Sequence, residues 1–155
     1  AVRSLGDPLT DHTEFYVADT LGELGLIYRL ATVVFVGGSL VPHGGQNLRE
    51  PARLRSAILH GPHIANFANV ARELGEVGAA RQVENEDALT RAVSALLSEP
   101  AAAEAMATGA GNIVDKSENV LDQTVQALEP YLSPLRRSMT PENETPENGK
   151  RHEDA

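Results

Sequence analysis

The sequence contains no cysteine and no tryptophan, and only 4% of its residues are aromatic. Because cysteine is absent, disulfide scaffolds, zinc–thiolate sites and cysteine nucleophiles are excluded. Because aromatic residues are scarce, the core must be built mainly from alanine, valine, leucine and isoleucine. Long apolar runs are also missing, since the longest, residues 31–38, is far shorter than the roughly 18 residues that a membrane-spanning helix needs. No secretory signal opens the sequence.

Acidic residues outnumber basic ones by 22 to 13, which gives a net charge of −9 and an isoelectric point of about 4.9. This balance argues against a nucleic-acid-binding protein, which would neutralise phosphates with basic side chains. The length of 155 residues and the apolar fraction of 41% are enough for one domain with a buried core. The chain begins at Ala1 with a loop-like stretch, and we therefore expect it to be a fragment of a longer protein.

Composition divides the chain into two parts, which we predict to be a domain over residues 1–132 and a disordered tail over residues 133–155. The tail is rich in proline, glutamate, asparagine and threonine, and it offers little apolar surface to bury. Within the domain, residues 87–132 have a helical pattern, with a flexible break predicted at Gly109 and Gly111.

Short apolar runs alternate with helical patterns in the first half of the chain. The predicted strands are residues 15–18, 32–36, 57–60 and 79–83, and the predicted helices are residues 21–30, 49–55 and 66–74. This alternation indicates an α/β fold, a parallel sheet with flanking helices and right-handed crossovers. Ligands of such sheets bind at the carboxyl ends of the strands, so the turns after the strands form the candidate site.

The first of these turns contains Thr20 and, three residues later, Glu23. That spacing is typical of a capping box, in which the two side chains accept hydrogen bonds from free N–H groups at a helix start. The same helix start, at Leu21, Gly22 and Glu23, can hold an anion such as a phosphate. The two interpretations are compatible, because a capped helix still has free donors.

The second turn, residues 37–51, is rich in glycine. It matches neither the P-loop nor the dinucleotide-binding motif, because it lacks the Gly-Lys-Ser/Thr triplet and the required glycine spacing. It ends in Asn47 and Glu50 at the start of a predicted helix. A carboxylate at that position can accept hydrogen bonds from the hydroxyls of a ribose. A second capping pair, Asn47 with Glu50, explains the same residues equally well.

The third turn contains two histidines, His60 and His63, separated by Gly61 and Pro62. We expect no metal site there, because the Gly-Pro pair disfavours helical spacing and no carboxylate pattern completes a set of ligands. The sequence has no nucleophile elbow and no evident pair of catalytic carboxylates. No candidate catalytic residue therefore stands out in this chain.

Four motifs in a fixed order resemble one family. They are residues 17–24 (Val-Ala-Asp-Thr-Leu-Gly-Glu-Leu), 35–40 (Phe-Val-Gly-Gly-Ser-Leu), 44–51 (Gly-Gly-Gln-Asn, then Glu-Pro) and 61–67 (Gly-Pro-His, then Asn-Phe). From about Arg3 to Leu132, the sequence is similar to the carboxyl-terminal domain of lipid A Kdo transferases, the 3-deoxy-D-manno-octulosonic-acid transferases. The resemblance implies the Rossmann-like carboxyl-terminal half of a B-type glycosyltransferase fold, which binds the donor CMP-Kdo.

The resemblance assigns CMP contacts to the first and second turns, at Leu21, Gly22, Glu23, Asn47, Leu48, Arg49 and Glu50. Glu50 is expected at the ribose, and the first turn is expected at or near the phosphate. Leu48 stands where the family usually has proline, and Arg49 where it usually has an apolar residue. Because leucine frees φ and restores an N–H group, we expect a looser loop here.

The resemblance also implies a reaction for the parent enzyme. That enzyme transfers Kdo to a lipid A precursor, and a glutamate of its amino-terminal domain acts as the general base. This chain lacks that domain, so we expect it to be inactive alone, to need no cofactor, and to be soluble. The parent is expected at the cytoplasmic face of the bacterial inner membrane, with its membrane contact in the other half.

Two alternative functions remain open at this point. One is a non-catalytic α/β module that binds a nucleotide or a protein partner. The other is a B-type glycosyltransferase that uses a different nucleotide sugar.

Overall fold

The structure is a computed structural model that describes the backbone of residues 1–139 and, within that range, the side chains of all residues except 117–122 and 133–139. Its internal contacts divide the chain into two compact units, Ala1–Glu118 and Asn119–Ala155. The first unit contains the sheet and every residue of the predicted site.

The first unit is built on three parallel strands, which are β1 (Val33–Val36), β2 (Ala57–His60) and β3 (Ala80–Gln82). The strands lie in chain order, with Val33 opposite Ala57 and Ile58 opposite Ala80. Helices connect successive strands, as parallel pairing requires. The expectation of an α/β fold with a parallel sheet and flanking helices is confirmed.

The strand predicted over residues 15–18 is wrong. Val17 makes one isolated bridge, with Val2, and Phe15 is 79% exposed. A run of β-forming residues joins a sheet only where a neighbouring strand pairs with it and a face is buried. Here the amino-terminal segment lies beside the run instead.

The described residues form five α-helices, which are α1 (Leu24–Leu30), α2 (Arg49–Arg53), α3 (Ala68–Glu76), α4 (Glu86–Ser98) and α5 (Pro100–Met139). Two short 3₁₀ helices lie at Arg3–Leu5 and Ala65–Phe67. The helix predicted to begin at Leu21 begins instead at Leu24. Gly22 explains the difference, because its φ of +88° is left-handed and cannot belong to a right-handed helix.

Helices cover both faces of the sheet. On one face, Val36 and Ile58 pack in a cluster with Leu74 of α3. On the other face, Leu59 packs with Leu96 of α4. All four residues of β2 are buried, as expected for a central strand that is covered on both sides.

Helix α5 runs without interruption through Gly109 and Gly111, so the predicted break is wrong. Both glycines lie where the helix packs closely on its neighbours. A Cβ on Gly109 would lie 3.3 Å from the Cβ of Ala79, and one on Gly111 would lie 2.7 Å from Nη1 of Arg55. Arg55 also forms an ion pair with Asp115 at 2.8 Å. The two glycines therefore permit a close contact instead of ending the helix.

Helix α5 continues past Leu132 to Met139, so the first part of the predicted tail is helical. The remainder of that tail, residues 140–155, lies outside the described residues. In the second unit, Val125 and Leu128 are half-exposed. None of the helices in the described part of the chain combines the length and the apolar character needed to cross a membrane.

Candidate functional site

The loops that follow β1 and β2, residues 37–48 and 61–64, lie at the same edge of the sheet because the strands are parallel. Two neighbouring cavities of about 360 and 380 Å³ open at this edge. Ala65 and Ala68 border both cavities. The first is also lined by Arg49, Asn66 and Asn69, and the second by Pro42, Pro62 and His63.

A buried serine ties the two loops together. The Ser39 hydroxyl donates to the carbonyl of Val36 and accepts a hydrogen bond from the Gly61 N–H at 2.8 Å. The carbonyl of Ser39 accepts from the His63 N–H at 2.9 Å. A Cβ on Gly61 would lie far inside van der Waals contact with the Ser39 carbonyl, so only glycine allows this approach.

The glycine-rich loop is attached to the second loop at a further place. The Asn66 N–H donates to the carbonyl of Gly44 at 3.2 Å, and the Gly45 N–H donates to that of Gly38 at 3.1 Å. Gly45 has a φ of +74°, and a Cβ there would clash with Ile64. The edge of the cavities is therefore built from backbone segments that are joined by hydrogen bonds. They can approach so closely because glycine has no side chain at these positions.

Asn47 and Glu50 lie together at the start of α2. The Asn47 side-chain oxygen accepts from the Arg49 N–H at 2.9 Å, and its amide group donates to Oε1 of Glu50 at 3.1 Å. The N-cap residue is Leu48 and no side chain caps the helix, so the bond from Arg49 to Asn47 closes a turn just before α2 and the capping pair considered for Asn47 and Glu50 is not formed. The reciprocal bond of a capping box is replaced by a bond between the two side chains, which holds the Glu50 carboxylate in place.

The next two residues of this turn have opposite environments. Leu48 is completely buried and belongs to the core cluster of the sheet. Its side chain therefore anchors the loop, and only its backbone is placed to touch a ligand. Arg49 is exposed and lines the first cavity, where its guanidinium offers a positive charge.

The first turn differs from its prediction. Because α1 begins at Leu24, the turn of Leu21, Gly22 and Glu23 precedes the helix and has no helix-start N–H groups of its own. Leu21 is fully exposed. The predicted capping box is wrong, because the Thr20 hydroxyl donates to the carboxylate of Glu23 and no side chain caps the helix.

Two carboxylates of the first turn are held by the amino-terminal segment. Arg3 pairs with Glu23 through both carboxylate oxygens, at 2.5 and 2.9 Å, and Ser4 donates its N–H and hydroxyl to Asp19. The bonds from Arg3 and then Thr20 lower the pKa of Glu23. The bonds from Ser4 lower the pKa of Asp19. Each partner favours the ionised carboxylate, so this turn is negatively charged at neutral pH.

Of the two histidines in the third turn, one is buried and one is exposed. His60 is buried, and its Nδ1 lies 2.8 Å from the carbonyl oxygen of Gly61, whereas His63 is exposed at the second cavity. Within the part of the chain that the structure describes, no group of three histidine, aspartate or glutamate side chains is arranged to hold a metal ion.

The sequence reasoning missed two parts of this site. It assigned no role to Ser39, although a small polar residue directly after an apolar strand and two glycines was visible in the second motif. It also assigned no role to Asn66 and Asn69, which line the first cavity. Asn66 belongs to the fourth motif, so the motif itself was the available signal.

Comparison of the sequence with known proteins indicates one family. No protein-family model matches the chain. It is 35% identical over 131 residues to the 3-deoxy-D-manno-octulosonic acid transferase of Haemophilus influenzae, covering 84% of this chain and 31% of that protein. It is 38% identical over 122 residues to the enzyme of the same name from Bordetella pertussis, covering 78% of this chain and 28% of that protein. The chain thus spans about a third of the length of these curated relatives.

A solved structure extends the similarity to the fold. The crystal structure of the C-terminal CMP-Kdo binding domain of WaaA from Acinetobacter baumannii matches with a TM-score of 0.70 and 35% sequence identity. The match covers 74% of this chain and 60% of that one. In sequence and in fold, the chain is a homologue of the carboxyl-terminal part of the 3-deoxy-D-manno-octulosonic acid transferases, and its resemblance to that family is confirmed.

Proposed function

We propose that this chain is the part of a Kdo transferase that binds the donor CMP-Kdo, and that residues 1–132 form the binding domain. The observation that carries the proposal is the similarity to the A. baumannii domain, which is described as binding CMP-Kdo. The cavities at the carboxyl edge of the sheet support it, because nucleotides bind at this edge in related α/β folds.

The second turn has the chemistry that a nucleotide requires. The Glu50 carboxylate can accept hydrogen bonds from the ribose hydroxyls, since a carboxylate accepts about four bonds and the Asn47 amide supplies one. The exposed Arg49 guanidinium lies at the first cavity and can pair with the phosphate. Asn47 orients Glu50, and Leu48 contributes its backbone while its side chain fixes the loop to the core.

The first turn has a smaller part in the proposal. Glu23 is already paired with Arg3, so its carboxylate is not free for a new partner without breaking that pair. We assign to this turn a contact with CMP through the exposed Leu21 side chain and the backbone of Gly22.

The activity of the whole protein follows from the same proposal. The parent enzyme would transfer Kdo to a lipid A precursor at the cytoplasmic face of the inner membrane, with the general base supplied from outside this chain. The chain alone would therefore bind the donor without transferring it. Kdo transfer by the isolated chain would contradict this part of the proposal.

The proposal is tested by titrating the 155-residue chain with CMP in a calorimeter. We expect binding, and we expect Glu50→Ala to weaken it by roughly tenfold or more, since hydrogen bonds to charged groups contribute about 1.5–3 kcal/mol. Glu104→Ala is a matched control, because Glu104 lines a cavity with Thr32, Arg55 and Pro100, away from the loops after the strands. That variant should bind CMP as the unmodified chain does.

Competition with other nucleotides completes the test. A CMP-specific site should prefer CMP to UMP, UDP and GDP. Tighter binding of UDP or GDP would indicate a glycosyltransferase domain for another nucleotide sugar. Absence of binding to every nucleotide would contradict the proposal and favour a module that binds a protein.

A further inference from the structure

Ser39 is a polar residue in an apolar position. Its exposure is 0%, and it directly follows the two glycines that end the β1 strand region. Among the described residues, the other buried polar side chains are those of Ser56 and His60. Burying a hydroxyl is unfavourable unless its hydrogen bonds are made, so the bonds of Ser39 need a reason.

Those bonds all join the loop after β1 to its surroundings at the carboxyl edge. The hydroxyl donates to Val36 at the end of β1 and accepts from Gly61 directly after β2, and the carbonyl accepts from His63. One residue therefore fixes the ends of two neighbouring strands and the loops that leave them.

Further hydrogen bonds connect the loop that contains Ser39 to residues that line both cavities. Gly38, next to Ser39, accepts from Gly45, and Gly44 accepts from Asn66. Asn66 lines the first cavity, and Gly44 and His63 line the second. A shift of the first loop against the second at Ser39 would therefore move the residues that line both cavities.

We propose that Ser39 is a positioning residue for the nucleotide site: its buried hydroxyl sets the relative position of the loops after β1 and β2, and through them the width of the cavities. The inference rests on the proposed CMP-binding function. Ser39 itself, buried as it is, does not touch the ligand.

A general contribution of Ser39 to stability would be a different role, and the chain offers a matched control for it. Ser56 is also buried, at 1% exposure, and its hydroxyl donates to the carbonyl of Tyr28 at 3.0 Å. It lies at the amino-terminal end of β2, opposite the site edge. Ser39→Ala and Ser56→Ala each remove one buried hydroxyl, but only Ser39→Ala removes a hydrogen bond between the loops after β1 and β2.

The experiment combines a CMP titration with amide hydrogen exchange of the ligand-free chain by NMR. For Ser39→Ala we expect CMP affinity to fall by roughly tenfold, because binding must then bring the two loops back to their position at a cost similar to that of one buried hydrogen bond. We also expect exchange at Gly61 and His63 to become faster by a similar factor, while exchange in β2 changes no more than in Ser56→Ala. Ser56→Ala should leave both readouts at the site unchanged.

A second variant keeps the proposal testable if Ser39→Ala does not fold. Ser39→Cys nearly preserves the shape of the side chain but has a weaker donor and acceptor, so its CMP affinity should lie below that of the wild type. Equal losses of CMP affinity in the Ser39 and Ser56 variants would overturn the proposal, as would unchanged exchange at Gly61 and His63. If the wild-type chain binds no CMP, the proposed function fails, whereas the exchange data still decide whether Ser39 orders the two loops.

Discussion

Two turns of this protein carry the same local pattern, a polar residue followed three positions later by a glutamate, and they are built in different ways. In both, the first side chain donates to the glutamate carboxylate, from Thr20 to Glu23 and from Asn47 to Glu50. The turn at Asn47 is fixed to the core by the buried residue that follows it, Leu48. In the turn at Thr20, the residue in the same place is fully exposed.

The difference teaches that the pattern alone does not determine the structure around it. At Asn47 the polar side chain accepts from the N–H of Arg49, the first residue of α2, and the buried Leu48 between them belongs to the core cluster of the sheet. At Thr20 the left-handed Gly22 delays the helix, and the glutamate pairs with Arg3 on the surface. Burial of the residue that follows the polar one distinguishes the turn that is fixed to the core from the turn that is not.

The largest expected effect comes from replacing, in each turn, the leucine that follows the polar residue with alanine. Leu48→Ala should lower the free energy of unfolding by about 2–5 kcal/mol, because it leaves a cavity in the core. Leu21→Ala should change it by no more than about 0.5 kcal/mol, because that side chain is already in solvent. Guanidinium denaturation of both variants measures the two values, and equal losses would contradict the contrast between the turns.

A smaller difference is expected between the two left-handed glycines of these regions. Gly22→Ala should cost about 1–2 kcal/mol for the backbone conformation alone, since no atom lies within 4 Å of the added Cβ. Gly45→Ala should cost roughly 1–3 kcal/mol more, because its Cβ would overlap with Ile64. The thermal midpoints of the two variants test this order. Equal midpoints would mean that the glycine-rich loop can move away from Ile64 at no cost.

The smallest effect concerns the ion pair at the first turn and is seen in its pH dependence. The pKa of Glu23 is lowered from 4.5 in the folded protein, so its pair contributes stability at higher pH and loses that contribution as the pH falls through the folded pKa. The stability difference between the wild type and Glu23→Gln should therefore shrink as the pH is lowered from ~6 to ~3.

Thermal unfolding across that pH range provides the measurement. The double variant Arg3→Gln, Glu23→Gln should show no more pH dependence than Glu23→Gln, because the two residues act as one pair. A stability difference between the wild type and Glu23→Gln that stays constant over this pH range would contradict the contribution of the pair.

The central part of the fold could be predicted from the sequence because it is determined by burial. The bounds predicted for the second strand of the sheet, Ala57–His60, are confirmed. A continuous apolar run between a turn and a Gly-Pro pair has few other ways to be covered on both faces. The alternation of strands and helices then restricts the sheet to parallel pairing.

The wrong predictions have a common physical cause. The sequence does not show which distant residues will contact each other in the fold. In the sequence, Gly109 and Gly111 indicate a break, because nothing there shows that Ala79 and Arg55 lie against them. The run at residues 15–18 has strand composition but lies beside Val2 and not beside the sheet. In the site, Asn47 and Glu50 could be paired from their spacing, whereas the bond from Ser39 to Gly61 joins two loops that are distant in the sequence.

The chain order of the strands has a consequence for how the site forms during folding. Neighbours in the sheet are also neighbours in the sequence, so each pairing closes a single strand–helix–strand segment. Contacts of such moderate separation form early compared with pairings between distant segments. The Ser39–Gly61 bond needs only the pairing of β1 with β2, whether or not β3 has joined the sheet. We therefore expect the loops that border the cavities to come together when β1 pairs with β2, independently of the pairing between β2 and β3.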